Sequence, residues 1–272
     1  MLLREVEYAR PETVDEAVRL LSSRDNARPL AGGQSLLNVM KVRVASPDVV
    51  VDLAGITELR AIDVAHDGSL VLGAMVTYAE LIASAEARSA RPILGKAALT
   101  IADVQVRNRG TIGGNICSND PTNHFPPLLA AIGASMTIRG AEAERTISAE
   151  EFFEGVFVTA VSQGELLTKV TVPARADGQG DAFASLGIGK DGTGIVNVAA
   201  SVADGNARIA VGCVSATPIV VTAAADPVAA RDAVRSAGLD PPSDVHATAD
   251  YRRHLAEVLA GRAVAEALES AA

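Results

Sequence analysis

The sequence has 272 residues, 49% of them hydrophobic, and a formal net charge of −9, so it can bury a substantial core in one large domain or a few small ones. With 3% aromatic residues, no tryptophan and no basic cluster, it lacks the features typical of nucleic-acid or anionic-lipid binding. Its two cysteines, Cys117 and Cys213, have no metal-ligand spacing, which argues against an iron–sulfur cluster or a thiolate zinc site in this chain.

The N-terminal stretch carries charges at positions 4, 5 and 7 and no apolar segment, so we do not expect a signal peptide. No run approaches the ~18 apolar residues of a membrane span. Isolated cysteines are typical of a reducing compartment. The sequence therefore predicts a cytoplasmic protein without a membrane span.

Residues 1–55 predict a small α/β unit. Thr13, with Glu16 three residues later, is typical of a capping box that starts an amphipathic helix ending at Ser22. Strands are expected at Val6–Tyr8, Ala27–Ala31 and Val49–Leu53, and one further helix is expected at Leu36–Val44. Ser35 is the expected N-cap of that further helix.

Residues 56–175 predict a second α/β unit. Its strands are expected at Ser69–Leu72, Ser135–Ile138 and Leu166–Val172. One helix is expected to run through Ala85 with Thr77 as its N-cap, and a short acidic helix is expected with Ser148 as its N-cap. Two further helices are expected at Arg91–Ala102 and Pro126–Ile132. Asp103–Thr122 has the composition of a long irregular stretch, and a loop of this length inside a compact domain is usually functional.

The linker composition of Pro173–Gly180 places the next boundary there, which leaves residues 176–272 as a C-terminal α+β domain. A three-stranded antiparallel sheet is expected from Phe183–Ile188, Ile195–Val202 and Arg208–Val214. The last two strands form a hairpin across Asp204 and Gly205. Helices are expected at Pro227–Ala237 and Asp250–Ser270.

Two glycine doublets stand in similar settings, in LAGGQSLL (residues 30–37) and in TIGGN (residues 111–115). Glycine can adopt positive φ and lets a ligand approach the backbone, so the two loops together could offer converging N–H groups to a diphosphate. The GxGxxG fingerprint of a Rossmann fold is absent, and no GK[ST] follows the glycines as in a P-loop. The sequence thus predicts a dinucleotide site of another type.

Five segments together resemble a known family, and they lie in the family's order along nearly the whole chain: PLAGGQSLL, VVVDL, IADVQVRNRGTIGGN, DPTNHFPPLLAAIGA and VGCVSATPIVV. The chain resembles the FAD-binding medium subunit of the molybdenum hydroxylases, the family of carbon monoxide, nicotine and xanthine dehydrogenases. The resemblance implies an α+β fold of the PCMH/vanillyl-alcohol-oxidase type. Two α/β subdomains would clasp FAD, and a C-terminal α+β domain would follow.

The resemblance implies a set of cofactor-binding residues at matched positions. The first loop would hold the FAD diphosphate through Leu30, Ala31, Gly32, Gly33, Gln34, Ser35 and Leu36. The second loop would contribute Thr111, Gly113, Gly114 and Asn115. Ile101 and Leu166 match positions beside the flavin ring, although ordinary core packing is the alternative for Ile101.

The chain departs from the family pattern at three positions around the cofactor. His124 stands where the family often has Asp or Glu at the ribose or adenine end, and it is either a ligand contact or a surface histidine at a helix start. The family aromatic near Ile195 is absent. Lys190 lies three residues beyond the position of a family lysine, so it either reaches the flavin or is a solvated loop charge.

The implied function is electron transfer without a catalytic acid or base in this chain. FAD, bound non-covalently, would take electrons from [2Fe–2S] clusters on a small partner subunit and pass them to an external acceptor. Molybdopterin would lie on a large partner subunit, in a dimer of heterotrimers. Asp103 and Asp120 lie near the loops but are equally suited to forming turns.

Two alternatives remain at this point. The first is a stand-alone FAD-dependent oxidoreductase of the same fold with its own substrate pocket, which the shortage of aromatics and histidines disfavours. The second is a non-catalytic scaffold that has lost FAD, which the intact glycine loops disfavour. The substrate of the complex and its electron acceptor cannot be derived from these residues.

Overall fold

A computed structural model describes residues 2–189 and 193–271, which form three main β-sheets with helices packed against them. Three hydrophobic clusters lie under these sheets, one for each. The mixed α+β architecture expected from the sequence is confirmed. Within the described ranges, no helix has both the length and the apolar character needed to cross a membrane.

The first sheet is parallel, with strand order β1-β3-β2. Its strands are β1 (Glu7–Ala9), β2 (Ala27–Leu30) and β3 (Val49–Asp52). Two helices accompany it, α1 (Val14–Ser22) and α2 (Leu36–Lys41). Since parallel strands point the same way, the segment after β2 leaves at the edge where β1 and β3 also end. That segment is the first glycine loop, residues 31–35.

The helix ends of the first unit differ from the prediction in two details. The Thr13 hydroxyl accepts the Glu16 amide at 3.2 Å, but the Glu16 carboxylate accepts the amide of Glu12, so the reciprocal bond of the capping box is displaced by one residue. Helix α2 ends at Lys41 rather than at Val44, because Arg43 adopts a φ of +67° that no α-helix accommodates.

The second sheet is antiparallel, with strand order β4-β5-β10-β6-β7. Its strands are β4 (Ile62–Val64), β5 (Leu70–Gly73), β6 (Ser135–Arg139), β7 (Glu144–Ser148) and β10 (Leu166–Val172). A small hairpin, β8 (Phe153–Gly155) and β9 (Val158–Thr159), follows the short helix α9 (Ala149–Phe152). The expected cap of α9 by Ser148 is confirmed as a complete capping box.

Six helices fill the connection from β5 to β6. They are α3 (Tyr78–Ala83), α4 (Ala85–Ala90), α5 (Pro92–Leu99), α6 (Val104–Arg109), α7 (Ile112–Ser118) and α8 (Phe125–Ala131). The expectation of an irregular Asp103–Thr122 stretch is therefore wrong. Side-chain caps override its glycines and asparagines: Asp103 accepts the Val106 amide at 2.8 Å, and Thr111 accepts the Gly114 amide at 3.0 Å.

The third sheet has four antiparallel strands, not the expected three. Its strands are β11 (Gly180–Ile188), β12 (Thr193–Ala203), β13 (Asn206–Gly212) and β14 (Ile219–Ala224). The additional strand, β14, is a partly exposed edge strand that follows Thr217 and Pro218, so a loop-like sequence precedes it. Helices α10 (Pro227–Ser236) and α11 (Ala249–Ala271) pack against this sheet.

A buried ion pair joins the helical connection to the third sheet. The Arg91 Nε atom lies 2.7 Å from the Asp181 Oδ2 atom, and their side chains are 1% and 4% exposed. Arg91 also donates to the Pro173 carbonyl at 3.2 Å. One guanidinium therefore ties together the start of α5, the segment after β10 and the start of β11.

Candidate cofactor site at the two glycine loops

The two glycine loops lie against each other. A Cβ atom on Gly32 would lie 2.0 Å from the carbonyl oxygen of Arg109 and 2.9 Å from the Cα atom of Gly110. A Cβ on Gly114 would lie 3.4 Å from the Cβ of Ala31. The absence of a side chain at Gly32 is thus what allows the first loop to contact the backbone that leads into the second.

Only one of the two glycines in the first loop adopts the positive φ that glycine permits. Gly33 adopts a φ of +73°, whereas Gly32 does not enter the positive region. The expected cap by Ser35 is wrong, because its hydroxyl makes no bond to the helix amides. The turn is held instead by two side-chain amides: Gln34 donates to the Gly32 carbonyl at 3.0 Å, and Asn38 donates to the Gln34 carbonyl at 2.7 Å.

The first loop presents a row of available backbone donors. Counting acceptors within residues 2–189 and 193–271, none of the five amides from Gly32 through Leu36 donates to a protein atom. Consecutive N–H groups around a residue at positive φ form a concave anion-binding arrangement. Gly33 supplies that residue here.

The second loop is different, because its amides are already used. Ile112, Gly113, Gly114 and Asn115 donate to Val76 O, Ala74 O, Thr111 Oγ1 and Thr111 O, at 2.9–3.0 Å. The glycines serve packing, since a Cβ on Gly113 would lie 2.5 Å from the Ala74 carbonyl oxygen. The expectation that both loops supply free amides therefore holds for the first loop only.

Asn115 carries an unsatisfied polar atom in the second loop. Its side-chain oxygen Oδ1 is buried and has no hydrogen-bond partner within the described residues. Tyr78, 3% exposed, lies beside it and stacks on Phe125 with ring centroids 5.6 Å apart. Burial raises the pKa of Tyr78, and a side-chain hydrogen bond with Asn115 acts in the opposite direction, so it is the Oδ1 atom of Asn115, not the whole side chain, that lacks a partner. A buried acceptor without a donor costs about 1–3 kcal/mol, so this oxygen is suited to accept from a ligand.

His124 is a buried residue, so its alternative assignment as a surface histidine is wrong. Its side chain is 6% exposed, and its ring centroid lies 5.4 Å from that of Phe183 on β11. Burial lowers the pKa of His124 to about 4, which keeps the imidazole neutral at pH 7. A neutral imidazole offers one donor and one acceptor to a neighbour.

The remaining candidates are buried in the cores under the three sheets or lie outside the described ranges. Ile101 is 9% exposed in the core under the second sheet, and Arg107 fixes the turn there by donating to its carbonyl at 2.7 Å. Leu166 is 4% exposed and belongs to the core of the first sheet, together with Met75. Ile195 is 8% exposed on β12. Lys190 lies outside the described residues.

The acidic residues near the loops have structural roles. Asp103 caps α6, and Asp120 Oδ1 accepts both the amide and the hydroxyl of Thr122, at 2.9 and 2.8 Å. No group of three or more His, Cys, Asp or Glu side chains suited to a metal ion occurs in the described part of the chain. Sequence patterns indicated no role for Tyr78, or for Asn123, whose Nδ2 atom donates to the Asn115 carbonyl at 3.0 Å, because both contacts depend on the fold.

This arrangement fits FAD on features that the chain itself supplies. A row of five available amides offers several donors to a diphosphate. The unsatisfied Asn115 oxygen and the neutral His124 imidazole can each bond a polar part of a nucleotide.

Comparisons with known proteins agree with this fit. Residues 4–175 match the family model of the FAD binding domain in molybdopterin dehydrogenase. The carbon monoxide dehydrogenase medium chain of Afipia carboxidovorans is 37% identical over 278 residues, covering 96% of each chain. The nicotine 6-hydroxylase medium subunit of Paenarthrobacter nicotinovorans is 33% identical over 280 residues, covering 98% of this chain and 99% of the relative.

Solved structures share the whole fold. Quinoline 2-oxidoreductase from Pseudomonas putida 86 superposes with a TM-score of 0.92 at 32% identity, over 100% of this chain and 99% of the other. The Cu,Mo-CO dehydrogenase gives a TM-score of 0.93 at 35% identity, over 99% and 100% of the two chains.

Fold, loop geometry and family match together define an FAD-binding oxidoreductase protein. More narrowly, the chain belongs to the family of FAD-binding medium subunits of the molybdenum hydroxylases. The resemblance noted in the sequence is thereby confirmed, as is the fold class that it implied, with a fourth strand in the C-terminal sheet.

Proposed function

We propose that this chain is the FAD-binding electron-transfer subunit of a heteromeric molybdenum hydroxylase. One observation carries the proposal: the five available amides from Gly32 to Leu36 lie on a loop that packs against the second glycine loop. When bound, FAD supplies the two-electron redox chemistry. A large molybdopterin-binding subunit and a small [2Fe–2S] subunit are the proposed partners, as a dimer of heterotrimers.

The roles of the residues follow from their hydrogen-bonding capacity. The amides of the first loop hold the diphosphate, and Gly33 provides the backbone conformation that points them together. Asn115 Oδ1 accepts a hydrogen bond from the nucleotide, and His124 bonds its ribose or adenine end as a neutral imidazole. Ile101, Leu166 and Lys190 remain proposed contacts of the flavin ring on family grounds alone.

The chemistry required of this chain is binding and orientation, not proton transfer. Tyr78 has a raised pKa and His124 a lowered one, so neither exchanges a proton near neutral pH. Asp103 and Asp120 are engaged in a helix cap and a turn. None of these four groups is therefore an available acid or base near neutral pH, which favours electron transfer over the alternative of a stand-alone oxidoreductase with its own substrate pocket.

Spectroscopy of the purified chain tests the proposal. We expect flavin absorption bands, about one FAD per chain released by acid precipitation, and co-purification with a large and a small subunit. Release by acid also tests the non-covalent attachment. A colourless chain that takes up no added FAD contradicts the proposal, and a flavin-loaded chain that purifies alone and turns over its own substrate favours the stand-alone alternative.

We further propose a cytoplasmic location and a division of the chain at residues 55/56 and 175/176. Both cysteines are free, which is compatible with a reducing compartment. The three sheets lie in residues 7–52, 62–172 and 180–224, and this spacing supports the two boundaries. Limited proteolysis, with cleavage expected first within the exposed segment Ala174–Gly178, tests the second boundary.

A further inference from the structure

Asn197 connects the third sheet to the candidate cofactor site. It lies on β12 with a fully buried side chain, although its amide is polar. Its Nδ2 atom donates to the carbonyls of Thr122 and Asn123, at 3.1 and 3.2 Å. The Ser185 hydroxyl donates to its Oδ1 atom at 2.6 Å. Both ends of the amide are therefore satisfied, which fixes its orientation between the sheet and the loop.

The sheet leaves room for this amide at a specific glycine. A Cβ atom on Gly194 would lie 2.6 Å from Asn197 Nδ2 and 2.7 Å from its Oδ1. The register partner of Asn197 on β13 is Gly212, and a Cβ there would lie 2.9 Å from Pro127 in the first turn of α8. Two glycines thus allow the loop and helix α8 to lie directly on the sheet.

The loop held by Asn197 leads to both polar groups of the candidate site. Asn123 Nδ2 donates to the backbone carbonyl of Asn115 at 3.0 Å, so the loop is bonded to the second glycine loop as well. His124 follows in the chain and packs on Phe183 of the same sheet. The position of Asn115 and the position of His124 therefore both depend on where residues 122–124 are held.

We propose that Asn197 is a positioning residue for FAD binding. It fixes residues 122–124 so that Asn115 Oδ1 and the His124 imidazole face the cofactor, and it thereby gives the C-terminal domain a direct influence on a site built by the other two units. The inference rests on the proposed function. It does not require Asn197 to touch FAD.

Asn197→Asp in the full chain is the test, because Asp keeps the size of Asn and removes the two N–H donors. Its carboxylate would also face two carbonyl oxygens. Losing the bonds to Thr122 and Asn123 is expected to raise the Kd for FAD about tenfold or more, measured by flavin fluorescence titration of FAD-free protein. Amide hydrogen exchange in residues 120–124 of the FAD-free chain is expected to accelerate. This measurement tests, without the cofactor, whether Asn197 holds the loop in place.

Val198→Ala is the matched control, since Val198 is the next residue of β12 and its side chain is buried in the core of the third sheet. It is expected to lower the Tm while leaving both the Kd and the exchange of residues 120–124 as in the wild type. Ser185→Ala keeps both donors of Asn197 and is expected to have a smaller effect on the Kd in the same direction. If Asn197→Asp does not fold, the Kd for FAD and the amide exchange of residues 120–124 in Ser185→Ala decide whether Asn197 has this role.

The outcomes separate this inference from the proposed function. A wild-type chain that takes up no FAD overturns the proposed function. A wild-type chain that binds FAD, together with an Asn197→Asp variant of equal Kd, overturns only the role of Asn197. Equal rises in Kd for Asn197→Asp and Val198→Ala also overturn it, because the effect would then reflect general destabilisation.

Discussion

Gly32 lies against the carbonyl of Arg109 so closely that a Cβ on Gly32 would be 2.0 Å from that oxygen. Its neighbour Gly33 is different: it has no such backbone neighbour, but its φ is +73°. One glycine of the doublet is therefore required for packing between two loops, and the other for a backbone conformation. Substitutions at the two positions should fail for different reasons.

Gly33→Val should abolish FAD retention. A β-branched residue is strongly disfavoured at positive φ, so the loop would rearrange and the row of amides from Gly32 to Leu36 would no longer converge. The flavin-to-protein absorbance ratio of the purified variant measures the effect. Gly95→Ala, in α5 with open space around its Cβ position, is the control and should stabilise by about 0.5–1 kcal/mol. Stoichiometric flavin in Gly33→Val would show that the loop does not hold the diphosphate.

Gly32→Ala and Gly114→Val should lose FAD together with stability. Gly114 does not have positive φ, so conformational strain is not the reason at this position. A Cβ there would lie 2.9 Å from Thr111 Oγ1, which caps α7, and 3.4 Å from Ala31. We expect a lower Tm for both FAD-free variants, by calorimetry, and little flavin in either. A variant that keeps the wild-type Tm and loses FAD would show that the contact between the loops is not required for folding.

Asn115→Ala should weaken FAD binding and change the stability of the FAD-free chain little, because the relief of the unsatisfied oxygen offsets the lost hydrogen bond with Tyr78. The side-chain oxygen of Asn115 is buried and unsatisfied within the described residues, so its removal relieves a desolvation penalty of about 1–3 kcal/mol when no cofactor is bound. When FAD supplies a donor, the same substitution should raise the Kd about tenfold. Thermal unfolding of the FAD-free variant and a fluorescence titration measure the two effects. A marked fall in the Tm of the FAD-free variant would assign Asn115 to the fold instead.

The features that could be predicted from the sequence depend on neighbours within three or four residues. Thr77 and Ser148 were expected as N-caps, and both form complete capping boxes. Strand β10 begins and ends where its apolar pattern predicted, at Leu166 and Val172. The caps of α6 and α7 were not predicted from the same kind of signal, because the glycines and asparagines between residues 108 and 115 suggested a loop.

The features that could not be predicted depend on residues distant in the chain. Asn197 bonds to Thr122, 75 positions away, and no local pattern distinguishes it from other residues of an apolar strand. The same holds for the five available amides, since their availability depends on which acceptors the fold brings near. The burial of His124 could not be predicted either, because Phe183, which packs on it, lies on β11, far along the chain.

The stability of the chain should fall as the pH drops from about 6.5 toward 4, partly through His124. Burial lowers its folded-state pKa to about 4, below the ordinary value of about 6.5, so the unfolded chain binds the proton first. The contribution of His124 to the free energy of unfolding is fully present above pH ~6.5. It is lost as the pH falls from about 6.5 to about 4, and it amounts to a few kcal/mol at most. Urea unfolding at pH 7.5 and pH 4.5 measures it.

His124→Gln, which cannot become charged, should flatten this part of the pH dependence. His66→Gln removes an exposed histidine and serves as the control, with the wild-type profile expected. An unchanged slope in His124→Gln would mean that the imidazole binds its proton at the same pH in the folded and the unfolded chain.

Disrupting the buried pair of Arg91 and Asp181 should destabilise the chain strongly. With the two side chains 1% and 4% exposed, Asp181→Asn leaves a guanidinium without a countercharge, which typically costs about 3–5 kcal/mol. By contrast, Asp250→Asn at an exposed pair with Arg253 should cost less than about 0.5 kcal/mol. Chemical denaturation of both variants measures the difference. Replacing both members of the buried pair, as in Arg91→Met with Asp181→Leu, should recover most of the loss, because no unpaired charge remains. A double variant as unstable as Asp181→Asn would contradict this explanation, because the loss would then not come from the unpaired guanidinium charge.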